Sequence, residues 1–148
     1  MTTNAPDMTE SQAIAHILTH CRTVAVVGLS PKAHRESYHV ADYMQAAGWR
    51  IVPINPVAAA SGQTILGEKV YATLTDAAQH EALDLVDVFR NSDDVPPVVD
   101  EAIALGLKAI WLQLGISHDA TLARARAAGM VAVQNRCLKI DHARQAMQ

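Results

Sequence analysis

The chain reads as a single α/β domain, a Rossmann-like three-layer sandwich with about five parallel strands and helices on both faces of the sheet. Three observations carry that reading. Residues Thr23–Ser30 (TVAVVGLS) form an apolar, β-branched run that stops at Gly28 and enters a polar loop, PKAHRES. An apolar strand ending in Gly-x-Ser ahead of a helix is how a doubly wound domain builds its ligand crevice. Second, one junction recurs three times, as AAGWRIVPI at Gly48, ALGLKAIWL at Gly106 and RAAGMVAV at Gly129. Glycine just past a helix end accepts the positive φ that stops a helix, so each marks a helix feeding straight into a strand. Third, the 50% hydrophobic fraction is almost all aliphatic, with 4% aromatic residues. That mix suits a Val/Ile-rich parallel sheet under Ala/Leu-rich helices.

At 148 residues the chain fits one domain over 1–148, with residues 1–8 read as a flexible N-terminus. Thr9-x-x-Gln12 is a capping box. Ile14, Ile17, Leu18 and Cys21 follow at helical spacing, which predicts a helix over 9–20. The first strand is 23–28. Val40, Tyr43, Met44 and Ala47 then make one apolar helical face. Further strands fall near 50–54, 84–89, 108–112 and 130–133. Helices begin at Ser92-Asp93-Asp94 and at Ser117, and Pro96 and Pro97 fit only in a first turn. Pro56 to Thr73 reads as a long loop with a fragment of strand, followed by a short helix near 75–80. A turn and a short helix end the chain. Right-handed crossovers between alternating strands and helices place the first strand centrally.

Several function classes are disfavoured. A net charge of −3 does not suit a duplex nucleic-acid binder. No apolar stretch approaches the roughly 20 residues that span a bilayer. The opening MTTNAPDMTE has no signal-peptide pattern. Cys21 and Cys137 form no CxxC, which fits a reduced, cytoplasmic protein.

Ligands of such sheets bind beyond the carboxyl ends of the strands. There the sequence places Gly28, Ser30, Lys32, Arg35, Glu36, Ser37 and Tyr38, then Asn55-Pro56, then Arg90, then Gln113-Leu114-Gly115, then Asn135-Arg136-Cys137. Lys32, Arg35, Arg90 and Arg136 gather cations at the rim of a mildly acidic chain, which suits a phosphate-bearing ligand. A dinucleotide fingerprint is incomplete. The register reads Gly28-x-Ser30-x-x-Ala33, and VPINP ends the second strand without the acid that bonds an NAD ribose.

The series TVAVVGLSPK-x-x-R-x-SY, VPINP, VDVFRNSDDV, WLQLGI and NRC, in order at five strand ends, resembles the stand-alone CoA-binding domain proteins over about 15–142. These are similar to the N-terminal domain of the succinyl-CoA synthetase α subunit. The resemblance implies coenzyme A or an acyl-CoA as ligand, with the phosphates at Ser30, Lys32, Arg35, Ser37 and Tyr38 beside Gly28. It puts the adenosine against Asn55, Pro56, Phe89 and Arg90, and Gln113 and Gly115 near the inner end of the crevice; the binding mode expected from this runs the thiol arm toward the last strands and Cys137. Leu138 departs from the family, where proline often follows the cysteine.

Other readings stay open. Gly28 also serves as a strand-ending turn, and Lys32 and Arg35 also read as solvated loop charges. Arg90 has Asp93 and Asp94 near it in sequence. Asp87 shares a strand face with Leu85 and Phe89, so it is either a buried, hydrogen-bonded carboxylate or a sign of misjudged register. His16 and His20 lack a third metal ligand. Cys137 reads as a buried structural cysteine, as a thiol that meets the ligand, or as a nucleophile activated by Arg136 and paired with His142. No complete catalytic constellation is visible. The function expected is a CoA-binding or regulatory module without chemistry of its own, its partner a small molecule, with a homodimer allowed by an exposed Ala/Leu helix face. The alternatives are a small NAD(P)-dependent oxidoreductase, or an interaction protein that has kept the fold and lost the ligand.

Overall fold

A computed structural model describes residues 8–148; the N-terminal segment 1–7 lies outside the described residues. Helix α1 (Glu10–His20) starts at Thr9, and the capping box forms in full, Gln12 N–H to Thr9 Oγ1 at 3.1 Å and Thr9 N–H to Gln12 Oε1 at 2.9 Å. Strand β1 (Thr23–Val27) leads through the polar loop to α2 (Glu36–Ala46) and β2 (Arg50–Ile54). After an excursion come β5 (Leu85–Val88), α5 (Val95–Ala104), β6 (Ala109–Leu112), α6 (Asp119–Ala127), β7 (Val131–Val133) and α7 (Leu138–Ala146). All five main strands pair in parallel in the order β2-β1-β5-β6-β7.

The excursion corrects the expected loop. Asn55 caps a one-turn helix, α3 (Pro56–Ala60), with Pro56 in its first turn. A hairpin of β3 (Thr64–Ile65) and β4 (Glu68–Lys69) follows, then α4 (Leu74–Ala78). The hairpin turns on Leu66 (φ 54) and Gly67 (φ 76), both left-handed as a type I′ turn requires. A leucine at such a position gives no turn signal in sequence. Its carbonyl accepts a hydrogen bond from Gln45 Nε2 at 3.0 Å, which ties the hairpin to α2.

Tyr71 then bridges Ile54 in parallel, with Tyr71 N–H to Pro53 O and Asn55 N–H to Tyr71 O, both 2.9 Å. A third strand is thus reduced to a single bridge outside β2. Counting it, β1 lies centrally, with the chain running outward to β2 and Tyr71 and then returning to β5. β1 and β5 flank the topological switch point.

The strands are buried on both faces, which is why they read as continuous apolar runs. Val24, Val26, Leu85, Trp111 and Val133 pack under α1, α2 and α7. Ala25, Val27, Val86, Val88, Ile110 and Ala132 pack under α4, α5 and α6. Each fully buried aliphatic side chain contributes about 1.5–3 kcal/mol. Two smaller expectations shift. Ala47 is exposed as the C-cap of α2, and Ala41 takes its place on the buried face. Helix α6 is capped by His118 rather than Ser117: its Nδ1 faces Thr121 N–H at 3.4 Å and Thr121 Oγ1 at 2.7 Å.

Candidate functional site

At the switch point the carboxyl ends of β1 and β5 open into a cleft of about 400 Å³, lined by Gly28, Ser30, Lys32, Arg35, Glu36, Ser37 and Phe89. Gly28 stands at φ +87, and a Cβ there would lie 2.2 Å from the Phe89 carbonyl oxygen. Only glycine lets the two strand ends close in this way. The loop beyond it is folded by its own hydroxyls. Ser37 Oγ, buried under the loop, accepts from Ser30 N–H at 3.0 Å, and Ser30 Oγ accepts from Lys32 N–H at 3.1 Å.

Helix α2 then starts at Glu36 with Arg35 in the cap position and no side-chain cap. The first-turn amides of a helix lack internal partners and carry the positive end of its dipole, so an uncapped start attracts anions. Lys32 and Arg35 are exposed beside it. Among the described residues neither they nor Arg90 forms an ion pair. The pairing of Arg90 with Asp93 or Asp94 that the sequence allowed is not made. Glu36 is the one acid in the cleft lining.

The neighbouring strand end is built for stability as much as for contact. Asn55 Oδ1 accepts from Val57 and Ala58 N–H at 3.0 and 3.1 Å, while its Nδ2 donates to Leu29 O at 2.9 Å. One side chain therefore caps α3 and ties the β1 loop to β2. Asn55→Ala is expected to cost about 1–2 kcal/mol, read as a lower urea midpoint followed by tryptophan fluorescence. An unchanged midpoint would refute the tie.

The family described as CoA binding domain matches residues 22–143. The chain belongs to that family. The uncharacterized protein YneT of Bacillus subtilis (strain 168) is 32% identical over 130 residues, covering 88% of this chain and 92% of that protein. A hypothetical protein from Pyrococcus horikoshii OT3 has a similar structure, with a TM-score of 0.82 and 30% identity over 97% of this chain and 96% of that one. The fold also recurs in the dinucleotide forming acetyl-coenzyme A synthetase 1 of Ca. Korarchaeum cryptofilum, with a TM-score of 0.68 and 22% identity over 81% of this chain and 27% of that one.

In this CoA-binding domain the remaining sequence candidates fall in three places. Tyr38 and Phe89 are half-buried against the core, and Phe89 N–H donates to Val27 O at 2.8 Å. Arg90 is half-buried at the end of β5. Gln113, Gly115 and Cys137 gather around the start of α7. Gln113 Oε1 accepts the buried Leu138 N–H at 3.1 Å, and Gly115 N–H donates to Asn135 Oδ1 at 2.7 Å. Cys137 is buried at the cap position of α7.

Three expectations for this end are corrected. Arg136 is not a free rim cation: its guanidinium donates to both oxygens of the buried Asp141, at 3.0 and 2.6 Å, and meets Glu10 at 3.5 Å. Its charge is thus already balanced beside Cys137. His142 does not pair with Cys137; its Nδ1 meets Tyr43 Oη at 2.9 Å, and burial, with Arg22 nearby, holds its pKa below the usual value. On β5, Asp87 is buried in the expected register, but among the described residues neither carboxylate oxygen has a hydrogen-bond partner. Burial also pushes the Cys21 thiol up to about 12, with Asp84 adding to the rise and Arg22 opposing it.

The sequence did not single out Ile140, exposed in the first turn of α7 opposite Leu114. Its signal was an apolar residue off the buried face set by Leu138 and Asp141.

Proposed function

We propose that this protein binds coenzyme A or an acyl-CoA reversibly, as a carrier, sensor or regulatory module without chemistry of its own. The observation that carries the reading is the uncapped start of α2 beside two unpaired cations, Lys32 and Arg35, at the sheet's switch point. The phosphates sit there, against Ser30, Ser37 and the first-turn amides. The adenosine lies along Asn55, Pro56, Phe89 and Arg90, and the thiol arm runs over Gln113 and Gly115 toward Cys137. Membership of the CoA-binding domain family supports the ligand class. The end of β2 disfavours NAD: Asn55 stands where a ribose-bonding acid would be, and its side chain is engaged by α3 and Leu29.

Calorimetric titration with CoA, acetyl-CoA, NAD and ATP tests this on the wild type and on Lys32→Ala/Arg35→Ala. Micromolar binding of CoA is expected. Each lost charge-assisted contact is worth about 1.5–3 kcal/mol, so the double variant weakens binding at least about 100-fold. Tight binding of NAD, or of no nucleotide, would sink the proposal.

A further inference from the structure

A second pocket lies at the same end of the sheet, between the β6–α6 loop and the start of α7. It holds about 170 Å³ and is walled by Leu114, Ile140, Cys137 and the Arg136–Asp141 pair. Two of its walls are unusual for a surface. Leu114 is 65% exposed and Ile140 is 46% exposed, and they are among the few large hydrophobic side chains left in water. We infer that this pocket is an acyl subsite, taking the thioester and a short, uncharged acyl group of an acyl-CoA whose phosphates lie at the Ser30–Arg35 loop. This rests on the CoA reading above and names the ligand within it.

The reach agrees. The phosphate loop leaves β1 and the pocket sits beyond β6 and β7, so the two are up to three strand spacings apart, about 14 Å. The pantetheine arm is a chain of about a dozen bonds containing two amides. At the advance of an extended peptide it covers about 14 Å. The sulfur of a ligand anchored at α2 therefore arrives at the start of α7. Between the two ends lie Phe89 and Gln113, the residues that follow β5 and β6.

The pocket's size and charge select the acyl group. At about 30 Å³ per water-sized unit, it has room for five or six non-hydrogen atoms. That fits a thioester carbonyl with a chain of about four carbons. Two guanidinium groups border it, but Arg136 is paired with Asp141 and Glu10, and Asp141 also lies 4.0 Å from Arg144. Two cations against two carboxylates leave no net charge for an acyl carboxylate, whereas Leu114 and Ile140 offer apolar contact. A neutral aliphatic acyl group is favoured over a dicarboxylic one.

Calorimetric titration with CoA, butyryl-CoA, succinyl-CoA and lauroyl-CoA provides the test. Each buried methylene tightens binding about fourfold, so butyryl-CoA is expected to bind at least about tenfold tighter than CoA. Succinyl-CoA should show no such gain, and lauroyl-CoA should gain at least as much as butyryl-CoA, because the pocket is open to solvent beyond the first carbons. Leu114→Ser/Ile140→Ser removes the apolar walls at exposed positions outside both halves of the core. It should bring butyryl-CoA down to the affinity of CoA and leave CoA itself unchanged. Equal wild-type affinities for CoA and butyryl-CoA would overturn the acyl subsite while leaving CoA binding intact. A wild type that sediments as a dimer and a variant that sediments as a monomer, with the butyryl preference retained, would reassign the patch to contact between copies of the chain. Failure to bind any CoA species would instead refute the underlying reading.

Discussion

Gly28→Ala is expected to lose about 2–5 kcal/mol of folding stability. Two costs combine. A left-handed φ of +87 strains an L-residue by about 1–2 kcal/mol. The new methyl would also stand 2.2 Å from the Phe89 carbonyl oxygen, and overpacking of this kind costs about 1–3 kcal/mol. The oxygen belongs to backbone at the end of β5, so it cannot rotate aside. Relief requires β1 and β5 to part at the site where the cleft opens. Gly129→Ala is the control: its φ is +91 with nothing within 4 Å of the added carbon, so it carries the conformational cost alone. Urea unfolding of both variants, followed by tryptophan fluorescence, separates the terms. Equal losses would show that the close approach of Phe89 contributes nothing.

Asp87→Val is expected to stabilise the fold by about 1–3 kcal/mol at neutral pH, the usual cost of burying a polar group without a partner. Asp87 lies on β5 between Val26 and Trp111, with both oxygens unpartnered among the described residues. Burial raises its pKa well above the ordinary carboxylate value. The sign follows from linkage. Above about pH 4 the unfolded chain releases this proton while the folded chain keeps it. The native state then binds more protons, so stability falls as pH rises from the unfolded pKa toward the folded one. The advantage of Asp87→Val should therefore be smallest near pH 4 and grow with pH. Urea midpoints at a series of pH values measure it. A difference that does not change with pH would mean that Asp87 is hydrogen-bonded or ionised in the native protein.

These two positions also show what could be read in advance. Gly28 is visible because a glycine ending a β-branched run is a local signal. Asp87 is visible as an acid in an apolar strand, and its register follows from alternation. Its lack of partners is invisible, since the groups around it come from β1 and β6. In the excursion after β2 the strand fragment at Tyr71 and the short helix α4 are legible, whereas the β3–β4 hairpin is not, for a related reason. Leu66 adopts a left-handed turn with no glycine or asparagine to announce it, and Gln45 of α2 holds that turn from outside. The site followed the same division. Gly28, Ser30, Lys32 and Arg35 in the β1–α2 loop and Ser37 in the first turn of α2 are neighbours in sequence, and they line one cleft. Arg136 looked like another member of that set until Asp141 and Glu10 claimed its charge.

The sequence by itself determined the class of fold, the places of the main strands and the composition of the loop after β1. Each of these is written in short-range terms: the period of apolar residues, glycine stops after helices, and side chains a few residues apart. Only the tertiary structure decided which polar groups are free to meet a ligand and which are engaged. Asn55 reaches Leu29, Gln113 reaches Leu138, and Ile140 is left facing Leu114 across a pocket. Those pairings join segments about 25 residues apart in the chain. They depend on the order in which the strands pair, and no local pattern encodes that distance.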